Sequence, residues 1–225
     1  MNMKYKILFI DEEKEQHDDF LDYMEKLEDH VEVSCQFPKE DLEQMIQLIE
    51  DEHPDAIVSD YQLNEMKTDI NNTVSYNGSE LVNVYREMRP NFPCFVITSY
   101  DDKAVDIADD VNIVYVKNIL HGQEDKNTTE ISKIKARFCD KIVMQIKKYK
   151  KSINDAQVEL TSLVSKKQKE GLSLSEEDRL VKLDSFLEHS LDAYTTLPDD
   201  IKKSKSLEHL SEVIDKVDEM LAKLK

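Results

Sequence analysis

Between residues 4 and 117, short apolar runs alternate with stretches whose apolar positions recur every three or four residues. KYKILFI (4–10), VEVSCQF (31–37), DAIVSD (55–60), CFVITS (94–99) and NIVYVK (112–117) have the length and composition of buried strands. The segments between them read as helices. Phe20, Leu21, Met24 and Leu27 follow helical spacing, as do Leu42, Met45, Ile46 and Ile49 on a segment that stops before Pro54. A polar stretch over 64–79 leads into a third helix carrying Leu81, Val82, Val84, Tyr85 and Met88. Strands separated by helices predict an α/β fold with a five-stranded, doubly wound parallel sheet, its ligands held at the carboxyl ends of the strands.

Beyond about residue 127 the strand signal ends. Ile131, Ile134, Phe138, Ile142, Val143 and Ile146 keep helical spacing, and the pattern extends to about Lys169, before Gly171. LSLSEED (172–178) then offers two N-cap arrangements, Ser173 with Glu176 or Ser175 with Asp178. Either opens a helix with Leu180, Leu183, Phe186, Leu187 and Leu191. Pro198 interrupts it, and a last helix is predicted from about Ser206, with Leu207, Leu210, Val213, Ile214, Val217 and Leu221. The chain therefore divides into an α/β domain at 1–125 and an all-α region at 126–225, a long helix plus two further helices. One-sided apolar stripes must be covered, so this region is expected to form a bundle or to dimerise.

Charge changes the functional picture more than composition does. Residues 128–225 hold 19 basic against 18 acidic side chains, which leaves 11 against 30 in residues 1–127, or about −19 of the total −18. Such a surface repels nucleic acid and anionic membranes over a Debye length of about 8 Å. No basic stripe in the second half compensates, so no nucleic-acid-binding residues are expected. No apolar run reaches membrane-spanning length, no signal-peptide pattern opens the chain, and a soluble, cytoplasmic protein is expected. Cys35, Cys94 and Cys139 lack metal-ligand spacing and read as buried or free thiols, with no structural zinc.

Chemistry-bearing residues fall where the strands end. Asp11 and Glu12 follow the first strand, Asp60 closes the third, Thr98 and Ser99 the fourth, and Lys117 the fifth. In a parallel sheet these ends share one edge, so the residues converge. Three crowded carboxylates repel one another unless a hard cation sits among them, and Mg²⁺ suits oxygen ligands and bridging to phosphate. In such a pocket Asp60 is the candidate nucleophile toward the phosphorus of a phosphohistidine. Lys117 would supply a neutralising ammonium, and Thr98 a hydroxyl donor to a phosphate oxygen.

The ordered series ILFIDEE, IVSDYQL, VITSY and VYVK resembles the receiver domains of two-component response regulators, over about half the chain. The resemblance implies a flavodoxin-like fold, Asp60 as phosphoacceptor, and Mg²⁺ held by Asp11, Glu12, Asp60 and the Gln62 backbone carbonyl. It makes Glu12 a direct ligand and Asp11 a ligand largely through water. It also implies a sensor histidine kinase or phosphotransfer protein as partner, and at most self-phosphotransfer and autodephosphorylation as enzymatic activity. Departures are visible. Glu12 stands where the family has Asp, the loop after Asp60 carries an insertion over 64–77, Asn118 replaces a Pro after Lys117, and Val114 occupies the usual aromatic switch position while Tyr115 should face the other way.

Each residue also has a plainer role. An Asp at a strand end is more often a cap or turn residue; only the conjunction of Asp60 with Asp11, Glu12, Thr98 and Lys117 reverses that. Thr98 could be an ordinary β-branched strand residue, and Ser99 a small spacer leaving room for a phosphoryl group. His189 distantly resembles phosphorylatable histidines of helical domains, but an exposed, inert imidazole is the better reading, and better still for His209. The expectation is a response regulator acting through a protein effector or self-association of its helices, without DNA or membrane contact. A receiver-like scaffold that no longer switches, or a phosphate sink or relay intermediate, is the alternative.

Overall fold

A computed structural model describes residues 4–25, 30–64, 74–99, 114–116 and 128–191, with the side chains of 128–137, 114 and 116 left aside. Five strands, β1 (Tyr5–Ile10), β2 (Val31–Gln36), β3 (Ala56–Asp60), β4 (Cys94–Thr98) and β5 (Val114–Val116), form one sheet in the order β2-β1-β3-β4-β5. Every pairing is parallel. The direction of crossover reverses between β1 and β3. In an open parallel sheet that reversal opens a crevice at the carboxyl ends.

Three helices belong to the sheet's connections: α1 (Lys14–Met24), α2 (Leu42–Glu52) and α3 (Gly78–Met88). α2 and α3 begin where the sequence supplies a side-chain cap. The Asp41 carboxylate accepts from Gln44 N–H at 2.8 Å at the start of α2. Asn77 and Glu80 form a reciprocal capping box on α3, with bonds of 3.0 and 2.9 Å. α2 ends at His53, in the left-handed region at φ 48°, immediately before Pro54. α3 packs on β3, β4 and α2, and Tyr85 and Arg89 both donate to the Glu50 carboxylate of α2, at 2.7 Å from the Tyr85 hydroxyl and 2.9 Å from Arg89 Nε.

A fourth helix, α4 (Thr128–Lys169), is 42 residues long, and a fifth, α5, covers Leu174–Ser190. The chain forms two compact units, Met1–Tyr149 and Lys150–Lys225. The first takes in the leading part of α4, because Phe138, Cys139, Ile142 and Ile146 join one core with Ile7, Phe9, Phe20, Met24, Val58, Phe95 and Ile97. These alternate strand positions mark one face of the sheet. Leu8, Ile10, Ile57 and Val96, equally buried, mark the other. Tyr115 lies on the α4 side: its ring meets Phe138 at 4.6 Å and lies 5.0 Å below Lys141 Nζ. None of the three cysteines is in a disulfide; Cys94 and Cys139 are buried and Cys35 half-buried.

In the second unit the rest of α4 and α5 bury Ala156, Leu160, Leu180, Leu183 and Leu187 against one another. Gly171, at φ 82°, permits the turn between the two helices. Of the two N-cap arrangements open to α5, the chain uses Ser173, whose backbone N–H and hydroxyl both donate to the Glu176 carboxylate at 2.9 and 2.8 Å. The expected last helix from Ser206, with His209, lies outside the described residues. Among those described, no helix is long and apolar enough to cross a membrane.

Candidate functional site

Strand register builds the site. Ile10 pairs with Ser59, so the next residue on each strand, Asp11 and Asp60, emerge side by side at the carboxyl edge. The Asp11 carboxylate turns back to accept from Glu13 N–H at 2.8 Å, and that of Asp60 accepts from Gln62 N–H at 3.0 Å. These short-range bonds aim both side chains into one place. Glu12 joins them. Ligand atoms of Asp11, Glu12 and Asp60 all lie within 4.8 Å of one another, and the residues are only 0, 8 and 2% exposed. At that spacing, with an effective dielectric of about 20, each pair of like charges costs on the order of 3 kcal/mol. A buried, all-oxygen donor set of three carboxyl groups could hold a small hard divalent cation.

Thr98 is fully buried at the end of β4. Its strand neighbour Ile97 pairs with Asp60, so Thr98 stands one residue beyond the phosphoacceptor candidate on the adjoining strand. Ser99 follows it and is exposed. Lys117 lies outside the described residues, directly after Val116, the partner of Thr98 in the sheet. Gln62 is present at the site through its N–H, bonded to Asp60. His189 belongs to α5 of the second unit and is exposed, with Nδ1 2.6 Å from the carbonyl of Ser185 one turn back.

Two residues of the site escaped the sequence reading. Gly78 opens α3, and its N–H donates to the Tyr61 carbonyl at 2.9 Å, tying the start of α3 to the residue after β3. A Cβ at this position would lie 1.9 Å from the Asp60 carbonyl oxygen and 2.7 Å from Ser59 Oγ, so only glycine allows this approach. The available signal was its rarity: the chain has three glycines, and this one sits inside the capping sequence Asn77-Gly78-Ser79-Glu80. His17 is the other. Its Nε2 lies 2.9 Å from the Asp11 carbonyl, and the ring is buried on α1. Burial lowers its pKa below the ordinary histidine value, opposed by the bond to that carbonyl. In the sequence it falls on the same helical stripe as Phe20 and Met24, a polar residue at a core position.

No protein-family model matches the chain, and no curated protein matches it at a significant level. Solved structures do. They include the signal receiver domain of an HD-domain-containing protein from Pseudomonas fluorescens, at 16% identity over 52% of this chain and 79% of that one, with a TM-score of 0.39. The BeF3-activated DrrB receiver domain is 21% identical over 63% of this chain and 99% of that one, with a TM-score of 0.40. The likeness is to receiver domains. The response regulator RcsB of Salmonella typhimurium, from a structure concerned with its DNA interaction, is 16% identical over 95% of this chain and 99% of that one, with a TM-score of 0.40.

Proposed function

We propose that the chain is a two-component response regulator whose Asp60 accepts a phosphoryl group and whose helical region passes the signal on by protein contact or self-association. The observation that carries this is the buried cluster of Asp11, Glu12 and Asp60 at the switch point of a parallel sheet. Charges so placed cost stability and contribute nothing to the core, which is the mark of a group kept for chemistry. Asp11, Glu12, Asp60 and the Gln62 carbonyl would hold Mg²⁺. When bound, Mg²⁺ neutralises the carboxylates and the non-bridging oxygens of an incoming phosphoryl group.

In the reaction, a carboxylate oxygen of Asp60 forms a bond to phosphorus as the donor's P–N bond breaks, or its P–O bond where acetyl phosphate is the donor. The donor leaves with the bonding pair, and the imidazole of a phosphohistidine is protonated as it departs. The bond from Gln62 N–H at 3.0 Å orients the Asp60 carboxylate in the pocket. The Thr98 hydroxyl and the Lys117 ammonium are assigned to the phosphoryl oxygens of the product. Phosphoryl binding then biases the pocket between two hydrogen-bonded states, which is what a switch requires.

Output through protein rather than DNA is supported by the balance of 19 basic against 18 acidic residues in 128–225. The test is intact-protein mass spectrometry after incubation with acetyl phosphate and Mg²⁺. One phosphoryl mass is expected on the wild type, lost in Asp60→Asn and lost when Mg²⁺ is removed. An adduct indifferent to the substitution removes Asp60 from the mechanism and favours a scaffold that does not switch.

A further inference from the structure

We propose that His17 is a positioning residue for the cation site, orienting the Asp11-Glu12 turn through a hydrogen bond from its Nε2–H to the Asp11 carbonyl. This rests on the reading of Asp11, Glu12 and Asp60 as a divalent-cation site. A carbonyl oxygen only accepts, so at the 2.9 Å separation Nε2 must carry the ring proton. The imidazole reaches back from α1 across the first turn of its own helix. Its orientation is set by packing: the ring meets Phe9 edge-on at 5.8 Å and lies tilted on Phe37 at 4.6 Å. The ring is buried against Phe9 and flanked by the half-exposed Phe37, and this packing restricts its rotamers and so the direction it offers the carbonyl.

That carbonyl belongs to the peptide group joining Asp11 to Glu12. Fixing its plane sets where both acidic side chains leave the backbone. The Asp11 side chain is already tied to Glu13 N–H at 2.8 Å, whereas Glu12 has one more rotatable bond than aspartate and depends more on the backbone beneath it. The site therefore needs a device that holds this peptide, and His17 supplies it from the core side, without touching the cation. A group that orients ligands from behind changes affinity by roughly tenfold or more.

The experiment is Mg²⁺ titration calorimetry on the full chain as wild type, His17→Leu and His17→Gln. Glutamine places an N–H donor near the Nε2 position; leucine fills the space without one. Weakening of about tenfold in H17L, with H17Q within about threefold of wild type, is the expected result. Equal affinity in wild type and H17L, or H17Q no better than H17L, overturns the proposal while leaving the cation site standing. A wild type that binds no Mg²⁺ removes the cation site and this inference with it. Should H17L fail to fold, nitrogen NMR of the wild-type imidazole decides: an Nε2–H tautomer whose resonances move with the Asp11 and Glu12 amides on Mg²⁺ addition supports the role, and an Nδ1–H tautomer or an unresponsive ring rejects it.

Discussion

The carboxyl edge of the sheet clusters charges of like sign, whereas the α4–α5 hairpin pairs charges of opposite sign on its surface. At the edge, Asp11, Glu12 and Asp60 are buried together with like sign. On the hairpin two ion pairs are exposed and matched, Arg179 to Glu159 at 2.7 Å and Lys166 to Glu176 at 2.6 Å, although Glu177 and Asp184 of α5 are buried. There the Lys166 ammonium and the Ser173 donors hold the Glu176 carboxyl down to about 2. Exposed pairs contribute little because water already solvates each partner and screens the attraction. Buried like charges contribute negatively until something binds them. The hairpin is thus held by its leucines and the sheet edge is held despite its acids, so function is to be sought at the edge.

Substitutions can break this contrast, and the largest effect is expected at Gly78. Gly78→Ala drives a methyl group into the Asp60 carbonyl, and should cost about 3 kcal/mol or more in chemical denaturation and depress phosphorylation with it. Leu187→Ala, in the fully buried seam of the hairpin, should cost about 3 kcal/mol in the second unit while acetyl phosphate labelling persists; loss of labelling would show the two units to be energetically one. In the first unit burial acts on two of the thiols. The Cys35 thiol is pushed up to about 11 and that of Cys94 to about 12, chiefly by burial. Alkylation of Cys35 by iodoacetamide at pH 8 should therefore run about 100-fold slower than for an unperturbed thiol. Because the folded state holds these protons more tightly, their contribution to stability is complete below the thiol's ordinary pKa and is lost as pH rises through 11 to 12.

Smaller effects sharpen the comparison. Tyr85→Phe removes one donor from Glu50 but leaves Arg89, and should cost about 1 kcal/mol in thermal unfolding. Arg179→Ala, by contrast, should leave the unfolding midpoint unchanged within error at ordinary salt. A clear drop in that variant would mean that the hairpin relies on its surface pairs after all.

Much of this was legible in the residues themselves. Apolar runs placed β1, β3 and β4 to within a residue or two, because a strand covered on both faces must be apolar at nearly every position, and the alternation of VEVSCQ placed the edge strand β2. Asp11, Glu12, Asp60 and Thr98 were legible as strand-end residues, since parallel strands bring all such ends to one edge. The leading part of α4 was harder. Phe138, Ile142 and Ile146 show a helix with one apolar face, but periodicity does not name what the face covers, and here it covers the sheet.

Local sequence alone thus determined the elements and the identity of the acids, and narrowed the cap of α5 to two arrangements, because these depend on backbone preferences and on the spacing of neighbours within a turn. Tertiary structure decided the rest. Only the register of β1 against β3 sets Asp11 beside Asp60, only the closeness of α3 to β3 makes Gly78 indispensable, and only the packing of α1 on β1 brings His17 back to the Asp11 carbonyl. Each is a contact between atoms distant along the chain or aimed by the core. The physical reason is that hydrophobic burial fixes which faces meet, and the hydrogen bonds and close approaches at the site exist only after they have met.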